Sequence, residues 1–317
     1  MSVAVDEDFQ VRAGRYRHEL LVHCYRLLGS VHEAEDLVQE TMMRAWRAWD
    51  GYDDRIASVR TWLYKIATNT CLTALRGRTR RPLPSGLGTP NDDPGAPLVP
   101  SLEVPWLEPF PDNRFADPLA HVVRRGSLRL AMIAAMQLLP PRQRAVLILR
   151  DVLDFAAAEV AELLDTSVAA VNSALQRARA GLAGVAEHEV TEPDDDTVRG
   201  TIDRYITAFE AADVPTLVAL LTDDVVMEMP PVPLWYRGRD HYRQFMDRVF
   251  ALRGTDWRLL PVSANTQPAI AAYCRQPAGG YRAHTLQVFT VTRAGIASNV
   301  VFADPRVFAT FDLPSVL

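Results

Sequence analysis

The chain has 317 residues, 48% of them hydrophobic and 23% charged, which is the composition of a soluble globular protein of two or three domains. Its net charge of −5 excludes a uniformly basic, histone-like protein, and no apolar run approaches the roughly 20 residues that cross a membrane. The acidic N-terminus predicts no secretory signal and the three scattered cysteines predict no metal site, so we expect a cytoplasmic protein without cofactor or membrane partner.

Residues 9–81 are predicted to form a bundle of three helices, at 16–28, from 31 onward and at 59–75. Ser30 is the expected N-cap of the second helix, which carries an apolar stripe and an opposite acidic face. The acidic face consists of Glu33, Glu35, Asp36, Gln39 and Glu40. The third helix leads into a basic cluster, Arg76, Arg78, Arg80 and Arg81. An acidic face and a basic, aromatic end predict two partners, a basic protein surface and nucleic acid.

Residues 82–118 form a linker that is dense in proline and glycine and has no apolar period. Its segment VPWLEPFPD, residues 104–112, is richer in aromatic residues than a plain linker needs. We expect Trp106 and Phe110 to make a regulatory contact with another part of the chain.

Residues 119–186 contain a helix-turn-helix pattern. Pro140 and Pro141 open one helix, a second covers 156–164, and Ser167 caps a third. The inward positions of the third helix are Val168, Val171, Leu175 and Leu182, and its polar outward positions are Asn172, Ser173, Gln176, Arg177 and Arg179. Amides pair with base edges and arginine pairs with guanine or phosphate, so this face suits the major groove of DNA. A helical hairpin with a solvated polar face is the alternative at this point.

Two stretches, YRHELLVHCYRLLGSVHEAEDLVQETMMRAW and TWLYKIATNTCLTALRGRTRR, resemble region 2 of the sigma-70 family in its extracytoplasmic-function (ECF) branch. Residues 139–182 resemble region 4 of the same family, and the resemblance covers roughly residues 9–186. It implies a transcription initiation factor rather than an enzyme. The implied partners are promoter DNA and core RNA polymerase, contacted at its clamp helices and flap.

The resemblance also implies roles for individual residues. The surface for the clamp helices is Asp36, Gln39 and Glu40. Tyr52, Trp62 and Asn69 surround a flipped base of the −10 element, while Lys65 and the arginines at 76, 78, 80 and 81 follow the melted strand. Ser167 and the polar outward positions of the third helix contact the −35 element, and the linker threads through the polymerase active-site cleft.

Two positions depart from the family pattern in region 4. Asp165 replaces the usual turn glycine, and Asp tolerates the left-handed conformation better than most residues. Ala156 replaces a capping Ser or Thr, and we expect Asp154 to take over as the cap.

An acidic linker, 187–196, precedes a third domain at 197–317, in which helices come first and the strands of a curved antiparallel sheet are expected to follow. This α+β pattern, with the motifs around Asn265, His284 and Asp304, resembles the SnoaL-like polyketide cyclase and ketosteroid isomerase fold, a cone with a pocket. The predicted fold class is therefore multidomain, with two all-α sigma domains and a C-terminal α+β SnoaL-like cone. Polar candidates for the pocket are Trp235, Tyr236, His241, His284, Asn299 and Asp304.

Three functions remain open for the whole chain. The favoured one is a sigma factor whose SnoaL-like domain modulates its activity, with a small-molecule ligand in the pocket as an option. The second is a one-component regulator that senses a small molecule and binds an operator without polymerase. The third is an isomerase- or cyclase-like enzyme, with His284 and Asp304 as an acid/base pair, fused to a DNA-binding domain. The acidic face at 36–40 favours the first, because a simple repressor does not need it.

Overall fold

The structure is a computed structural model that describes residues 3–114, 125–186 and 193–317. The chain divides into two compact units. The first comprises residues up to 81 together with 114–188, and the second comprises 82–113 together with 189 to the end. The predicted boundaries at 118/119 and at residue 187 lie outside the described residues.

The first unit is helical. Its helices are α1 (Val3–Ala13), α2 (Arg17–Leu28), α3 (Val31–Arg47), α4 (Val59–Ala74), α5 (Leu130–Gln137), α6 (Pro141–Leu147), α7 (Ala157–Leu163) and α8 (Val168–Ala186). Gly29 ends α2 in the left-handed conformation, with φ of 70°. Ser30 caps α3, since its Oγ accepts a hydrogen bond from the Glu33 N–H at 3.2 Å. The three helices predicted between residues 16 and 75 are thus confirmed.

Helices α2, α3 and α4 pack around a common core that includes one buried polar pair. His23 of α2 is fully buried, and its Nε2 lies 2.9 Å from the Thr68 Oγ1 on α4. Burial, with smaller contributions from the charges of Arg26 and Arg60, lowers the pKa of His23 to about 3. The imidazole is therefore neutral at physiological pH and acts as a packing element.

Helices α6, α7 and α8 form the predicted helix-turn-helix. Asp165 adopts φ of 48°, and the Ser167 Oγ accepts from the Ala170 N–H at 3.2 Å, so the turn and the cap are as expected. Asp154 is not the cap of α7. It takes a left-handed φ of 58°, whereas a cap needs extended backbone, which Ala156 supplies. The Glu159 carboxylate accepts from the Ala156 N–H at 2.6 Å instead.

Val168 is a second correction in this region, because it is 43% exposed rather than inward. Helical side chains lean toward the N-terminus, and at the first residue of α8 this direction leads past the packed helices into solvent. The later inward positions Val171, Leu175 and Leu182 are buried. The buried positions of α8 are therefore as predicted from Val171 onward, and only the first predicted position, Val168, is exposed.

Arg144 of α6 joins the helix-turn-helix to the N-terminal bundle within this unit. Its guanidinium is almost fully buried and donates to the Leu27 carbonyl, at the C-terminal end of α2, and to the Gln137 Oε1 at 2.7 Å. Further bonds reach the carbonyls of Gln137 and Leu139. Burial lowers the pKa of Arg144 to about 10, so the group stays charged, and carbonyl dipoles at a helix C-terminus stabilise it.

The second unit is an α+β domain. Its elements are α9 (Asp195–Glu210), α10 (Val214–Ala219), β1 (Leu221–Glu228), β2 (Trp235–Arg237), α11 (Arg239–Arg253), β3 (Trp257–Ala264), β4 (Gln267–Arg275), β5 (Tyr281–Thr292), β6 (Gly295–Phe302) and α12 (Arg306–Thr310). The strand order is β2-β1-β6-β5-β4-β3. The core includes Tyr205, Phe209, Trp257 and Phe289, from α9, β3 and β5.

The sheet is mixed, whereas the sequence predicted an antiparallel one. Strands β1 and β6 pair in parallel, and the remaining neighbours are antiparallel. Parallel neighbours need a long connection, and the chain between β1 and β6, which includes α11 and the other four strands of the sheet, provides it. Helices α9 and α11 contribute to the same core as the sheet.

Membrane-spanning helices and metal-binding clusters are both absent from the described ranges. No helix there is long and apolar enough to cross a membrane. No group of three His, Cys, Asp or Glu residues in the same ranges is arranged to hold a metal ion. The three cysteines are free and buried.

Candidate nucleic-acid and regulatory sites

An aromatic cluster forms the first candidate nucleic-acid surface. Tyr52 stacks on Trp49, with ring centroids 5.1 Å apart and planes 6° from parallel, and Trp62 packs on Tyr52 at 5.1 Å. The guanidinium of Arg12 lies over both Trp49 and Tyr52, at 5.3 and 5.5 Å. Tyr52 and Trp62, the two aromatic residues predicted to surround a flipped base, are therefore adjacent. Both side chains are half-buried, so part of each remains exposed to solvent.

One face of α4 carries Trp62, Lys65 and Asn69, because steps of three, four and seven residues return to the same side of a helix. This face meets the helix-turn-helix. The Asn69 Nδ2 donates to the Leu163 carbonyl at the end of α7 at 3.3 Å, and the Lys65 Nζ lies 3.6 Å from the Asp165 carboxylate. In this conformation both residues are engaged by the turn before the recognition helix.

The basic cluster after α4 is mostly exposed. Arg78 and Arg81 both contact the Glu33 carboxylate, at 2.7 and 2.9 Å. Arg76 and Arg80 are exposed on the same segment. Glu33 of α3 therefore partly neutralises the positive charge of the predicted strand-binding surface. Surface ion pairs of this kind are weak, so the two arginines can exchange the carboxylate for a DNA phosphate.

The predicted polymerase surface lies on α3, opposite its buried stripe. Asp36 and Gln39 are exposed, and Glu40 pairs with Arg44 one turn later, at 2.6 Å. The spacing of three and four residues brings the three side chains to one face.

The exposed face of α8 carries all the residues predicted to contact the −35 element, namely Ser167, Asn172, Ser173, Gln176, Arg177 and Arg179. Arg177 reaches back one turn to the Ser173 Oγ at 2.7 Å and remains exposed. Arg179 instead makes two hydrogen bonds with the Asp151 carboxylate, at 2.7 and 2.8 Å. This arrangement separates an exposed candidate reader, Arg177, from Arg179, whose side chain links α8 to Asp151.

The linker segment 104–112 packs within the second unit. Trp106 is 9% exposed and donates to the Ser101 carbonyl at 2.8 Å, and Phe110 is fully buried. The backbone of Phe110 forms two hydrogen bonds with Asn265, at the tip of the β3–β4 hairpin. The Phe110 N–H donates to the Asn265 Oδ1 at 2.7 Å, and the Asn265 N–H donates to the Phe110 carbonyl at 2.8 Å.

The hairpin tip is shaped for this contact. Asn265 and Thr266 both have positive φ, 55° and 61°, as a two-residue turn between paired strands requires. Asn accepts that conformation, and here its amide also binds the linker. The Thr266 N–H adds a bond to the Asp112 carboxylate at 2.9 Å.

The first half of the linker runs along β2 and α11. Trp235 donates to the Gly88 carbonyl at 3.0 Å, and its own carbonyl accepts from the Asn91 N–H at 2.8 Å. Arg248 of α11 donates to the carbonyls of Pro94 and Ala96, at 2.7 Å each. The buried carboxylate of Glu228 accepts from the Ser85 N–H at 2.8 Å, and burial raises its pKa.

A cavity of about 160 Å³ lies between α9, α11 and the sheet. Its wall includes His284, Gln287 and Asn299, and the linker contributes Leu98. Of the six predicted pocket residues, the structure brings His284 and Asn299 to this cavity. Trp235 binds the linker, as described, and Asp304 pairs with Arg306 at 2.6 Å. His284 and Asp304 therefore do not form an acid/base pair at the cavity.

His284 packs edge-on against Trp257, with ring centroids 5.2 Å apart. Burial, and secondarily the charge of Arg253, lowers its pKa to about 4, so that it is neutral near pH 7. The residues that line the cavity include no Asp or Glu. Glu228, a buried carboxylate, is not among them and binds the linker instead.

Four buried side chains form a hydrogen-bond network beside the cavity. The hydroxyls of Tyr205 and Tyr242 are 2.7 Å apart, and Tyr205 also donates to the Gln287 Oε1 at 3.2 Å. The Asn299 Nδ2 donates to the Tyr242 hydroxyl and to the Gln287 Oε1, at 3.0 Å each. Burial raises the pKa values of Tyr205 and Tyr242, so both phenols are protonated.

Sequence reasoning missed several of these residues. Trp49 lies in a short 3₁₀ segment after α3, and Arg12 belongs to a helix that the apolar pattern did not indicate. Leu98 is an isolated apolar residue in a proline-rich linker. Only the proximity of Trp49 to Tyr52 in the sequence was a usable signal.

Family models match three parts of the chain: "Sigma-70 region 2" at residues 13–81, "Sigma-70, region 4" at 129–182 and "SnoaL-like domain" at 202–299. Among curated relatives, the ECF RNA polymerase sigma factor SigG of Mycobacterium tuberculosis is 48% identical over 317 residues, covering 98% of this chain and 85% of the relative. SigJ of the same organism is 35% identical over 238 residues, covering 73% and 69%.

A solved structure shows the same architecture. The crystal structure of the Mycobacterium tuberculosis ECF sigma factor SigJ matches with a TM-score of 0.65 and 27% identity. The match covers 95% of this chain and 98% of that one. The two helical sigma regions and the C-terminal α+β domain thus occur together in a known protein.

Proposed function

This chain belongs to the ECF RNA polymerase sigma factors, and we propose that it binds core RNA polymerase, directs it to a promoter in the cytoplasm, and is regulated by its SnoaL-like domain. The identity of 48% along nearly the whole chain carries this conclusion. The one-component alternative is not favoured, because both sigma regions are matched in order and region 2 has no role in a simple operator-binding protein.

In the proposed mechanism, Asp36, Gln39 and Glu40 dock on the clamp helices of the polymerase. Tyr52, Trp62 and Asn69 hold a base flipped from the −10 element, since aromatic rings stack on a base and an amide reads its edge. Support for this role comes from the stacking of Tyr52 with Trp49 and Trp62, which leaves a half-buried aromatic wall.

The helix-turn-helix would bind the −35 element through Arg177 and its neighbours on α8. The −10 and −35 elements are separate stretches of the promoter, and each base pair between them adds about 3.4 Å to the distance that the two sigma regions must span. The Asn69 amide, however, contacts the Leu163 carbonyl at 3.3 Å. Promoter binding therefore requires α4 and α7 to separate, and the described conformation is a closed one.

The linker is the element through which we propose that the SnoaL-like domain acts. To cross the active-site cleft of the polymerase, the linker must leave the bonds that it makes with Asn265, Arg248 and Trp235. The free energy of these contacts opposes polymerase binding. The domain thus acts as a restraint on the chain to which it is fused.

We further propose that the domain is not an enzyme. Proton transfer of the isomerase type needs a general base of suitable pKa within reach of the substrate. The cavity wall offers His284, but the carboxylate that was expected to partner it lies elsewhere, paired with Arg306. The cavity is better suited to binding than to acid/base chemistry.

The decisive experiment is reconstitution of the purified chain with core polymerase, followed by sequencing of the transcripts. We expect promoter-specific initiation, with Asn69→Ala weakening promoter opening and Arg177→Ala weakening −35 protection. Arg243→Ala is the control, because it removes an exposed arginine of the SnoaL-like domain that pairs only loosely with Asp240, at 3.1 Å. Failure to bind core polymerase, or normal footprints for both variants, would contradict these assignments.

Removal of residues 197–317 tests the regulatory role more coarsely. It deprives the linker of its binding surface, so we expect promoter-dependent output to change. Output equal to that of the full chain would count against regulation by the domain.

A further inference from the structure

We infer that the SnoaL-like domain has a ligand site for a compact, mainly apolar ring that carries one hydrogen-bond donor, and that Asn299 recognises this donor. The inference goes beyond the sigma activity and does not need polymerase. It depends on the cavity, on one buried acceptor and on the position of Leu98.

The size of the cavity limits the ligand to a single ring or a close equivalent. It measures about 160 Å³. An engineered apolar cavity of about 150 Å³ in another protein is large enough for benzene. The walls are built from apolar side chains, among them Phe209, Met227, Met229, Phe245, Met246 and Trp257. Methionine and aromatic side chains favour a flat, polarisable molecule.

The hydrogen-bond network of Tyr205, Tyr242, Gln287 and Asn299 at the cavity calls for a ligand donor rather than an acceptor. One consistent set of hydrogen bonds has Tyr242 donating to Tyr205, and Tyr205 donating to the Gln287 Oε1. The Asn299 Nδ2 donates to Tyr242 and Gln287. The hydroxyl protons of this network are then used within it.

The carbonyl of the Asn299 amide is the exception. Asn299 is 1% exposed and lines the cavity, and its Oδ1 has no hydrogen-bond partner among the residues that the structure describes. A buried acceptor without a partner is destabilising, and native proteins rarely retain one without a reason. A hydroxyl or N–H group on a molecule in the cavity would satisfy it. Phenols are the simplest compounds that combine a ring of the right size with one such donor.

The linker completes the site. Leu98 contributes to the cavity wall, and Arg248, another wall residue, holds the linker carbonyls of Pro94 and Ala96 at 2.7 Å. A molecule in the cavity therefore contacts the segment that we propose must leave the domain when polymerase binds.

The test compares phenol with benzene, a matched pair that differs in one hydroxyl group, and the Asn299→Leu variant isolates the contribution of its donor. The full chain would be labelled at its methionine methyl groups and titrated with each compound by NMR. The methyl signals of the cavity residues Met227, Met229 and Met246 report binding. Those of Met42 and Met136, buried in the other unit, are internal controls.

We expect saturable shifts of the cavity methionines, with phenol binding about five- to tenfold more tightly than benzene, the factor that one net hydrogen bond provides. Asn299→Leu removes the acceptor at similar volume and should abolish this preference. If that variant does not fold, the comparison of the two compounds on the native chain still decides.

Three results would overturn the inference: equal or tighter binding of benzene, no shift at the cavity methionines, or shifts of equal size at Met42 and Met136. Each of them leaves polymerase binding by the sigma regions untouched. A failure here is thus distinguishable from a failure of the proposed function.

Discussion

Replacement of Asn265 by glycine is expected to loosen the linker without unfolding the domain that holds it. Asn265 is fully buried, and its Oδ1 accepts the Phe110 N–H at 2.7 Å. Glycine adopts the φ of 55° without steric cost and keeps the backbone bond from residue 265 to the Phe110 carbonyl. The substitution therefore removes the side-chain hydrogen bond to Phe110 and leaves the turn in place.

The size of the expected effect follows from the burial of Phe110. Phe110 has no exposed surface, so its N–H would lose its acceptor without gaining water. Such a loss costs about 1–3 kcal/mol, which raises the opening equilibrium of the segment about 5- to 150-fold. Hydrogen exchange of peptides covering residues 104–112 in the full chain should accelerate by this factor.

Ala212→Gly is the matched control. It places glycine at another left-handed position of the same domain, with φ of 51°, in the turn between α9 and α10. Exchange at 104–112 should be unchanged in this variant. If Asn265→Gly also exchanges like the native chain, the side-chain bond does not hold the linker and the reasoning fails.

The same variant tests whether docking restrains activity. A linker that must undock lowers the apparent polymerase affinity by the fraction of molecules in which it is free. Asn265→Gly should therefore bind core polymerase more tightly, by at most the factor seen in exchange. If hydrogen exchange becomes faster but polymerase affinity does not change, the linker docks on the domain as described, but this docking does not oppose polymerase binding.

Two further predictions concern the helical unit. The pKa of His23 is about 3 in the folded state against about 6.5 in the unfolded state, so the free energy of unfolding should fall as the pH drops from 6.5 towards 3. The expected loss between pH 7 and pH 5 is about 2 kcal/mol. Urea unfolding followed at the Met42 methyl group should show this loss, and the His23→Gln variant should show a smaller dependence on pH. Asp165→Gly should stabilise the helix-turn-helix by up to about 1 kcal/mol, since φ of 48° strains a non-glycine residue; a lower melting temperature would contradict this.

Local signals in the sequence were sufficient for most helices and strands. Ser30, Gly29 and Ser167 mark helix ends through their own backbone and hydroxyl chemistry, and the structure has those ends. Helix α1 escaped prediction because not all of its apolar residues are on one face: Phe9 and Ala13 are buried, whereas Val11 is 75% exposed. Its stability comes from tertiary contacts such as Phe9 with Trp49, which no local pattern encodes.

The candidate sites depended on contacts between distant segments. The family motif predicted Tyr52 and Trp62 together, and their rings are adjacent. The contact of Asn69 with Leu163 links residues 94 positions apart, so nothing in the motif indicated that the turn would cover it. The mixed sheet has the same origin, since β1 and β6 are paired across the whole domain. The environment of Asn299 likewise depends on distant segments, because α9, α11 and β5 contribute the three residues of its hydrogen-bond network, Tyr205, Tyr242 and Gln287.

Leu98 offers the last prediction, because it belongs both to the linker and to the cavity wall. If a ligand and the docked linker share this contact, each must strengthen the other by the same factor. Phenol should then slow hydrogen exchange at residues 94–101 in the native chain. In Leu98→Ala, phenol should bind more weakly, by about the factor that one or two buried methylene-sized groups contribute, roughly 4- to 15-fold, because Leu98 is only partly buried.

Val99→Ala is the control for this effect, since Val99 is the next residue in the linker and is 66% exposed, against 40% for Leu98. It should leave both phenol affinity and exchange unchanged. A native chain in which phenol binds the cavity methionines but leaves linker exchange unaltered would separate the two events. The ligand site would then stand, and its coupling to the segment that polymerase must capture would be refuted.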